Sequence, residues 1–173
     1  MAPPIQVRFA TAADAAILAD HRVSMFRDMG AIRPELEPEL LRTSAAYFAA
    51  AIPSGEYVGW IGHAHGDPAP VSGAGVQFRS LLPRPTLDGA SLLLGREGLV
   101  LNVYTVKAWR SRGVARLMME TVIAWARTEG IVRLVLGASP EGRPLYEKLG
   151  FIPTREMSYT GALAPAGSWT GAR

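Results

Sequence analysis

From its N-terminus the chain alternates hydrophobic and polar side chains loosely over Ile5 to Phe9, which predicts a short strand. Thr11 and Asp14 stand at capping-box spacing, ahead of Ile17, Leu18, Met25, Phe26 and Met29 at helical intervals. Those five side chains are expected in the core, His21 on the polar face, and Gly30 at the helix stop. Pro34 and Pro38 punctuate a loop, after which Leu40, Leu41, Ala45, Phe48 and Ile52 form a second apolar stripe ending at Pro53-Ser54-Gly55. Tyr57 to Ala64 and Val71 to Phe78 read as two strands of a hairpin turned at Gly66-Asp67-Pro68. Ser80 to Gly95 reads as a stretch containing a long loop, and Leu99 to Val106 as a strongly apolar strand. Gly113 to Glu129 predicts a helix with Val114, Leu117, Met118, Val122 and Trp125 on one face and Gly130 as its stop. Val132 to Leu136 reads as a buried strand, Pro144 to Leu149 as a short helix closed by Gly150, and Phe151 to Tyr159 as a last strand.

That order predicts a mixed α/β layout around a central sheet. Residues 1–161 form one expected domain, and Ala162 to Arg173 reads as a flexible tail in which Trp169 offers a contact for a homodimer. With 49% hydrophobic residues in 173, the chain can build a core without covalent staples. It contains no cysteine, which removes disulfides, cysteine-zinc sites and a cysteine-acyl intermediate. Met1 to Asp14 has neither a basic nor an apolar segment of the signal-peptide kind, so a cytoplasmic, non-membrane protein is expected.

Net charge is only +3, but its placement is uneven. Gly98 to Met119 holds no Asp or Glu, while Lys107, Arg110, Arg112 and Arg116 all fall inside it. A local basic cluster without overall basicity points to one anionic ligand more than to nucleic acid. The cluster sits where strand Leu101 to Val106 passes through Lys107 to Ser111 into Arg112-Gly113-Val114-Ala115. A helix N-terminus carries unpaired N–H groups and partial positive charge, and Gly113 and Ala115 allow a phosphate close to its backbone. There is no Gly-Lys-Ser/Thr and no Gly-x-Gly-x-x-Gly, so P-loop and Rossmann sites are disfavoured.

Arg110-Ser111-Arg112-Gly113-Val114-Ala115 resembles the Arg/Gln-x-x-Gly-x-Gly/Ala segment of the GNAT superfamily of acetyltransferases. Leu145-Tyr146-Glu147-Lys148-Leu149-Gly150-Phe151 resembles a second family segment, which there follows an Asn; here Ser139 stands in that place. The resemblance spans Leu99 to Phe151 and implies a mostly antiparallel sheet, splayed at the strand that holds acetyl-CoA. It implies that the backbone of Val103 and Thr105 pairs with the pantetheine amides. It places the pyrophosphate on the N–H groups of Arg112 to Ala115, Val114 included, with Arg110, Ser111 and Arg116 around the same turn. It also implies direct attack of an amine on the thioester, without metal. Tyr146 is then the expected proton donor to the departing thiolate. A phenol near pKa ~10 can protonate a thiolate whose acid, judged from cysteine, lies near ~8.5.

For deprotonating the amine, the residues leave two readings: Glu97, or a water held by backbone carbonyls and Asn102. Asn102 and Tyr104 are expected on the strand face opposite Val103 and Thr105. His63 and His65 share a strand side, yet no third ligand has suitable spacing for a metal. The acceptor is expected near Asp28 to Pro38, Trp60 and Phe78. The rival to an enzyme is a silent acyl-CoA-binding module of the same fold.

Overall fold

The structure, a computed structural model, describes residues 4–154 and 156–158. Strand β1 (Ile5–Phe9) leads through a short 3-10 turn into α1 (Ala15–Asp28). The capping box is formed: Thr11 N–H donates to Asp14 Oδ2 at 2.8 Å. Arg8 donates to both oxygens of the same carboxylate, and these bonds hold Asp14 well below the usual carboxylate range. Helix α2 (Glu37–Ser54) begins with Pro38 in its first turn, where a missing N–H costs nothing, so Pro38 opens the helix instead of the loop. It buries Ser44, Phe48 and Ala51, while Leu41 stays exposed.

Strands β2 (Tyr57–Ala64), β3 (Pro70–Pro85) and β4 (Leu92–Thr105), helix α3 (Val114–Thr128), β5 (Arg133–Leu136) and α4 (Arg143–Lys148) complete the described elements. The sheet is five-stranded in the order β1-β2-β3-β4-β5, antiparallel throughout except for the β4–β5 pair. Period-2 alternation sorts its faces. Tyr57 and Ile61 join Leu18, Ala19 and Phe48 under α1 and α2, while Trp60, Ala74 and Val76 join Met118, Met119 and Val122 under α3.

Two expectations are corrected. Ser80 to Gly95 is mostly not loop: β3 and β4 continue through it as a ribbon, with Leu81 opposite Gly95 and Pro85 opposite Leu92. Leu82, Leu87, Leu92 and Leu94 are all exposed there. With neither ribbon face committed to the core, no alternation marked it as strand. Among the described residues of Phe151 to Tyr159 there is no strand. Pro153 has no N–H to give a ladder, and the rest of that expectation lies outside the described residues. The tail and Trp169 also lie outside them.

Candidate active site

β4 and β5 pair only from Glu97↔Arg133 to Val100↔Leu136, yet β4 runs on to Thr105. Beyond Val100 the sheet therefore parts, and one edge of Leu101 to Thr105 has no ladder partner among the described residues. On the other edge, Gly73 faces Tyr104 and Gly75 faces Leu101, so a single β3 residue opposes Asn102 and Val103. This β-bulge is made by Asn102 at φ +58, a left-handed conformation that Asn tolerates better than most residues. The bulge inverts the strand's phase. Val100 packs under α3, whereas Tyr104 lies against His21 of α1 with ring centroids 5.3 Å apart. Asn102 also turns to α1, donating from Nδ2 to the Leu18 carbonyl at 3.0 Å.

Past β4, Ser111 (φ +59) and Gly113 (φ +79) both adopt left-handed backbone before α3 begins at Val114. A left-handed residue followed by a right-handed one turns consecutive N–H groups toward one concavity. The first helical bond runs from Leu117 N–H to the Gly113 carbonyl at 3.0 Å, so Val114, Ala115 and Arg116 have no intrahelical acceptor for theirs. No acidic residue stands in that first turn. Arg112, Gly113, Val114, Leu117 and Trp109 line a pocket of about 320 Å³ at this helix end. A Cβ at Gly113 would meet no protein atom within 4 Å.

The basic cluster divides. Arg112 lies over the Trp109 ring at 5.3 Å and has no carboxylate partner among the described residues. Arg116 pairs with Glu120 at 2.8 Å. Arg110 turns away from the helix end: its Nη2 pairs with Asp28 and its Nε donates to the Thr105 carbonyl at 2.9 Å. Lys107 joins the same Asp28 carboxylate at 3.0 Å. Desolvation pushes the Asp28 carboxyl up, but the bonds from Lys107 and Arg110 outweigh it and hold the group below its ordinary range. Asp28 thus ties the end of α1 to the loop before α3, a role no local sequence signal announces.

Val103 packs with the cluster under α3, and Thr105 Oγ1 meets Ser72 Oγ at 3.1 Å. Ser139 serves α4 instead of standing open, its Oγ accepting from Gly142 N–H at 3.1 Å. Tyr146 of α4 packs against the same cluster as Val103 and crosses Phe151 edge-on at 6.0 Å. No hydrogen bond of its hydroxyl occurs among the described residues, and burial pushes the phenol up, so it keeps its proton at neutral pH.

Glu97 sits 2% exposed between Arg79 Nε, at 2.5 Å, and Arg133 Nη1. A carboxylate clamped by two guanidiniums is a brace across β3, β4 and β5. Along β4 it lies four residues, roughly 13 Å, from Leu101 where the sheet parts, and roughly 25 Å from Thr105 at the strand's end. Glu97→Gln should lower stability by about 3 kcal/mol, read from the urea midpoint, and leave ligand affinity at the α3 end unchanged.

Gln6 Nε2 donates to His65 Nδ1 at 2.8 Å. Among the described residues no three His, Asp or Glu side chains are grouped to hold a metal ion. No described helix is long and apolar enough to cross a membrane. His21 departs from expectation: it is 2% exposed and faces the sheet, because Gly73 leaves room for its ring.

The model of the Acetyltransferase (GNAT) family matches residues 16–151. A GCN5-related N-acetyltransferase from Ralstonia eutropha JMP134 is 28% identical, with a TM-score of 0.78 over 90% of this chain and 97% of that one. A predicted acetyltransferase from Clostridium acetobutylicum, its structure solved with acetyl-CoA, is also 28% identical, with a TM-score of 0.73 over 91% and 96%. A ribosomal-protein-alanine N-acetyltransferase from Brucella melitensis biovar Abortus 2308 shares the fold at 20% identity, with a TM-score of 0.61 over 93% and 100%. No curated protein matches the chain. Since the family match runs from α1 through the parted strands and α3 to Phe151, the chain belongs to the GNAT acetyltransferase family.

Proposed function

We propose that the protein transfers the acetyl group of acetyl-CoA to a primary amine of a small molecule or peptide, by direct attack in a ternary complex. The observation that carries this reading is the parting of β4 from β5 beside an acid-free helix end with unpartnered N–H groups. The parted edge of β4 offers its backbone, with Val103 and Thr105, to the pantetheine amides. The Thr105 carbonyl already accepts from Arg110, so its contribution is the N–H. Val114, Ala115 and Arg116 offer N–H groups to the pyrophosphate, with Gly113 and Ser111 shaping the turn. Arg112 is the guanidinium placed to add charge. Arg110 anchors the loop from behind. Ser139 holds the start of α4, and α4 presents Tyr146 as proton donor to the departing thiolate. Met29 at the end of α1 is half-exposed, which leaves apolar surface on the acceptor side.

The test is thiol release from acetyl-CoA across a panel of primary amines, with the acetylated product identified by mass spectrometry. A silent acyl-CoA-binding module would bind acetyl-CoA and release no thiol with any of them. The unpartnered Tyr146 hydroxyl favours the enzyme.

Loop anchoring makes its own prediction. Asp28→Asn removes charge from two ion pairs, so acetyl-CoA affinity should fall roughly tenfold, on the order of 1.5 kcal/mol for hydrogen bonds to charged groups. Asp28→Glu should recover part of it. Calorimetric titration of both variants checks the effect, and unchanged affinity in Asp28→Asn would make the network ornamental to the cofactor loop.

A further inference from the structure

Two arginines among the described residues are half-buried, Arg22 and Arg133. Arg133 meets the Glu97 carboxylate, as a guanidinium drawn out of water requires. Arg22, on α1, lies over the Phe26 ring at 5.0 Å and has no carboxylate partner among the described residues. The groups that face it are the phenols of Tyr47 and Tyr57. Burial pushes both phenols up, so they keep their protons and supply no negative charge. Gln77 Nε2 donates to the Tyr47 hydroxyl at 2.9 Å, and Glu56 meets that same hydroxyl at 3.4 Å. The Tyr57 hydroxyl is buried without a hydrogen-bond partner. Burial pushes Arg22 down, yet a guanidinium stays charged at neutral pH. Arg22 is thus a half-buried charge with no counter-charge.

This charge borders the parted strands. Leu18, one turn before Arg22 on the same helix face, accepts from Asn102 at the β4 bulge. The Tyr57 hydroxyl rests over Gly75, whose partner on β4 is Leu101, the first residue past the parting. Because Val100 packs under α3, alternation turns Leu101 to the α1 face. Arg22, Phe26, Gln77 and Leu101 each keep part of their surface in solvent, and Tyr47 is 37% exposed. A molecule arriving from solvent on this face can reach the guanidinium, with the parted edge of β4 as its neighbour.

We propose that the acceptor carries a carboxylate as well as its amine, and that Arg22 binds this carboxylate and so presents the amine to the parted edge of β4. The proposal rests on the amine-acetylation reading above and narrows its substrate class. One guanidinium without a counter-charge calls for one negative charge, and its flat fork of donors matches the two oxygens of a carboxylate. A phosphate dianion would bring a second charge, and Arg22 is the one cation acting on either phenol. Phe26 and Leu101 offer apolar surface to the carbon chain between carboxylate and amine.

The experiment has two arms and uses glycine, β-alanine, γ-aminobutyrate and aminohexanoate, each against its own carboxamide, which keeps the shape and removes the charge. In the first arm, saturation-transfer NMR on the intact protein reads binding without any acetyl transfer. At least one acid should bind where its amide does not, and Arg22→Gln should abolish that binding. In the second, acetylation by acetyl-CoA should favour the same acid over its amide about 100-fold in kcat/KM, the scale of charge-assisted hydrogen bonds. Arg22→Gln should bring that ratio close to one. Arg22→Lys, which keeps the charge and loses the fork, should recover part of it and serves should Arg22→Gln fold poorly. Amides bound and used as well as acids in every pair, or an undiminished preference in both variants, would overturn the role of Arg22 alone. Preference for aminoethylphosphonate over β-alanine would overturn the carboxylate as the group recognised. An acid bound through Arg22 but never acetylated would instead overturn the reading of function and leave the site standing.

Discussion

Gly113→Glu should bind no measurable acetyl-CoA in calorimetric titration. Gly113 is the residue before the first turn of α3, where Val114, Ala115 and Arg116 present N–H groups that no helical carbonyl accepts. An added side chain would meet no protein atom nearby and would stand in open space beside that concavity. Its carboxylate would occupy the phosphate's place and repel what remains of the phosphate charge. The backbone complicates the experiment in a calculable way. Because φ is +79, any L side chain there costs roughly 1–2 kcal/mol in stability. Gly113→Ala is the matched control. It should show that loss of stability in a denaturant melt and keep acetyl-CoA affinity within a few fold. Affinity in Gly113→Glu within tenfold of the parent would end the assignment of this helix end to the pyrophosphate.

Tyr146→Phe should lower kcat by around 10²-fold, near the low end of general-acid contributions, because a thiolate leaves tolerably well unaided. The substitution is clean. The hydroxyl has no hydrogen bond among the described residues, so its removal strands no partner, while the ring keeps its packing on the cluster under α3 and its edge contact with Phe151. Melting temperature and acetyl-CoA affinity should therefore hold. Burial keeps the phenol protonated beyond the ordinary tyrosine range, so the loss should persist across neutral and mildly alkaline pH. Turnover within about twofold of the parent at every pH would make Tyr146 a packing residue.

Much of the framework was legible residue by residue. Ile5 to Phe9 appears as a strand with those bounds, and Thr11 and Asp14 form the capping box their spacing announces. The Leu101-to-Ala115 run is the strand, loop and helix start expected of it, with Gly113 as the N-cap. These signals are local: periodicity, caps and turn residues act within a few positions, and no distant contact was needed to read them. Where the local rule was ambiguous, the reading slipped. A ribbon with two exposed faces shows no alternation, and a proline near a helix start reads equally well as a loop marker.

What only the tertiary structure decided lies at long sequence separation. Arg110 looked like a phosphate ligand from its neighbours, but folding brings to it a carboxylate 82 positions earlier, with which it forms an ion pair. His21 looked polar-facing, but Gly73 and Gly75 remove the Cβ atoms that would have kept its ring and the Tyr57 hydroxyl off the sheet. Asn102 read as a regular strand residue and a holder of water for the amine's proton. Its left-handed backbone and its bond to a carbonyl 84 positions away became visible only once β3 and α1 were packed against it. Pattern and motif determined that a strand–loop–helix with an acid-free helix start exists in this chain. Which charges stay free to serve it, and which buried groups gather behind its strand, was set by packing between elements that carry no local trace of one another.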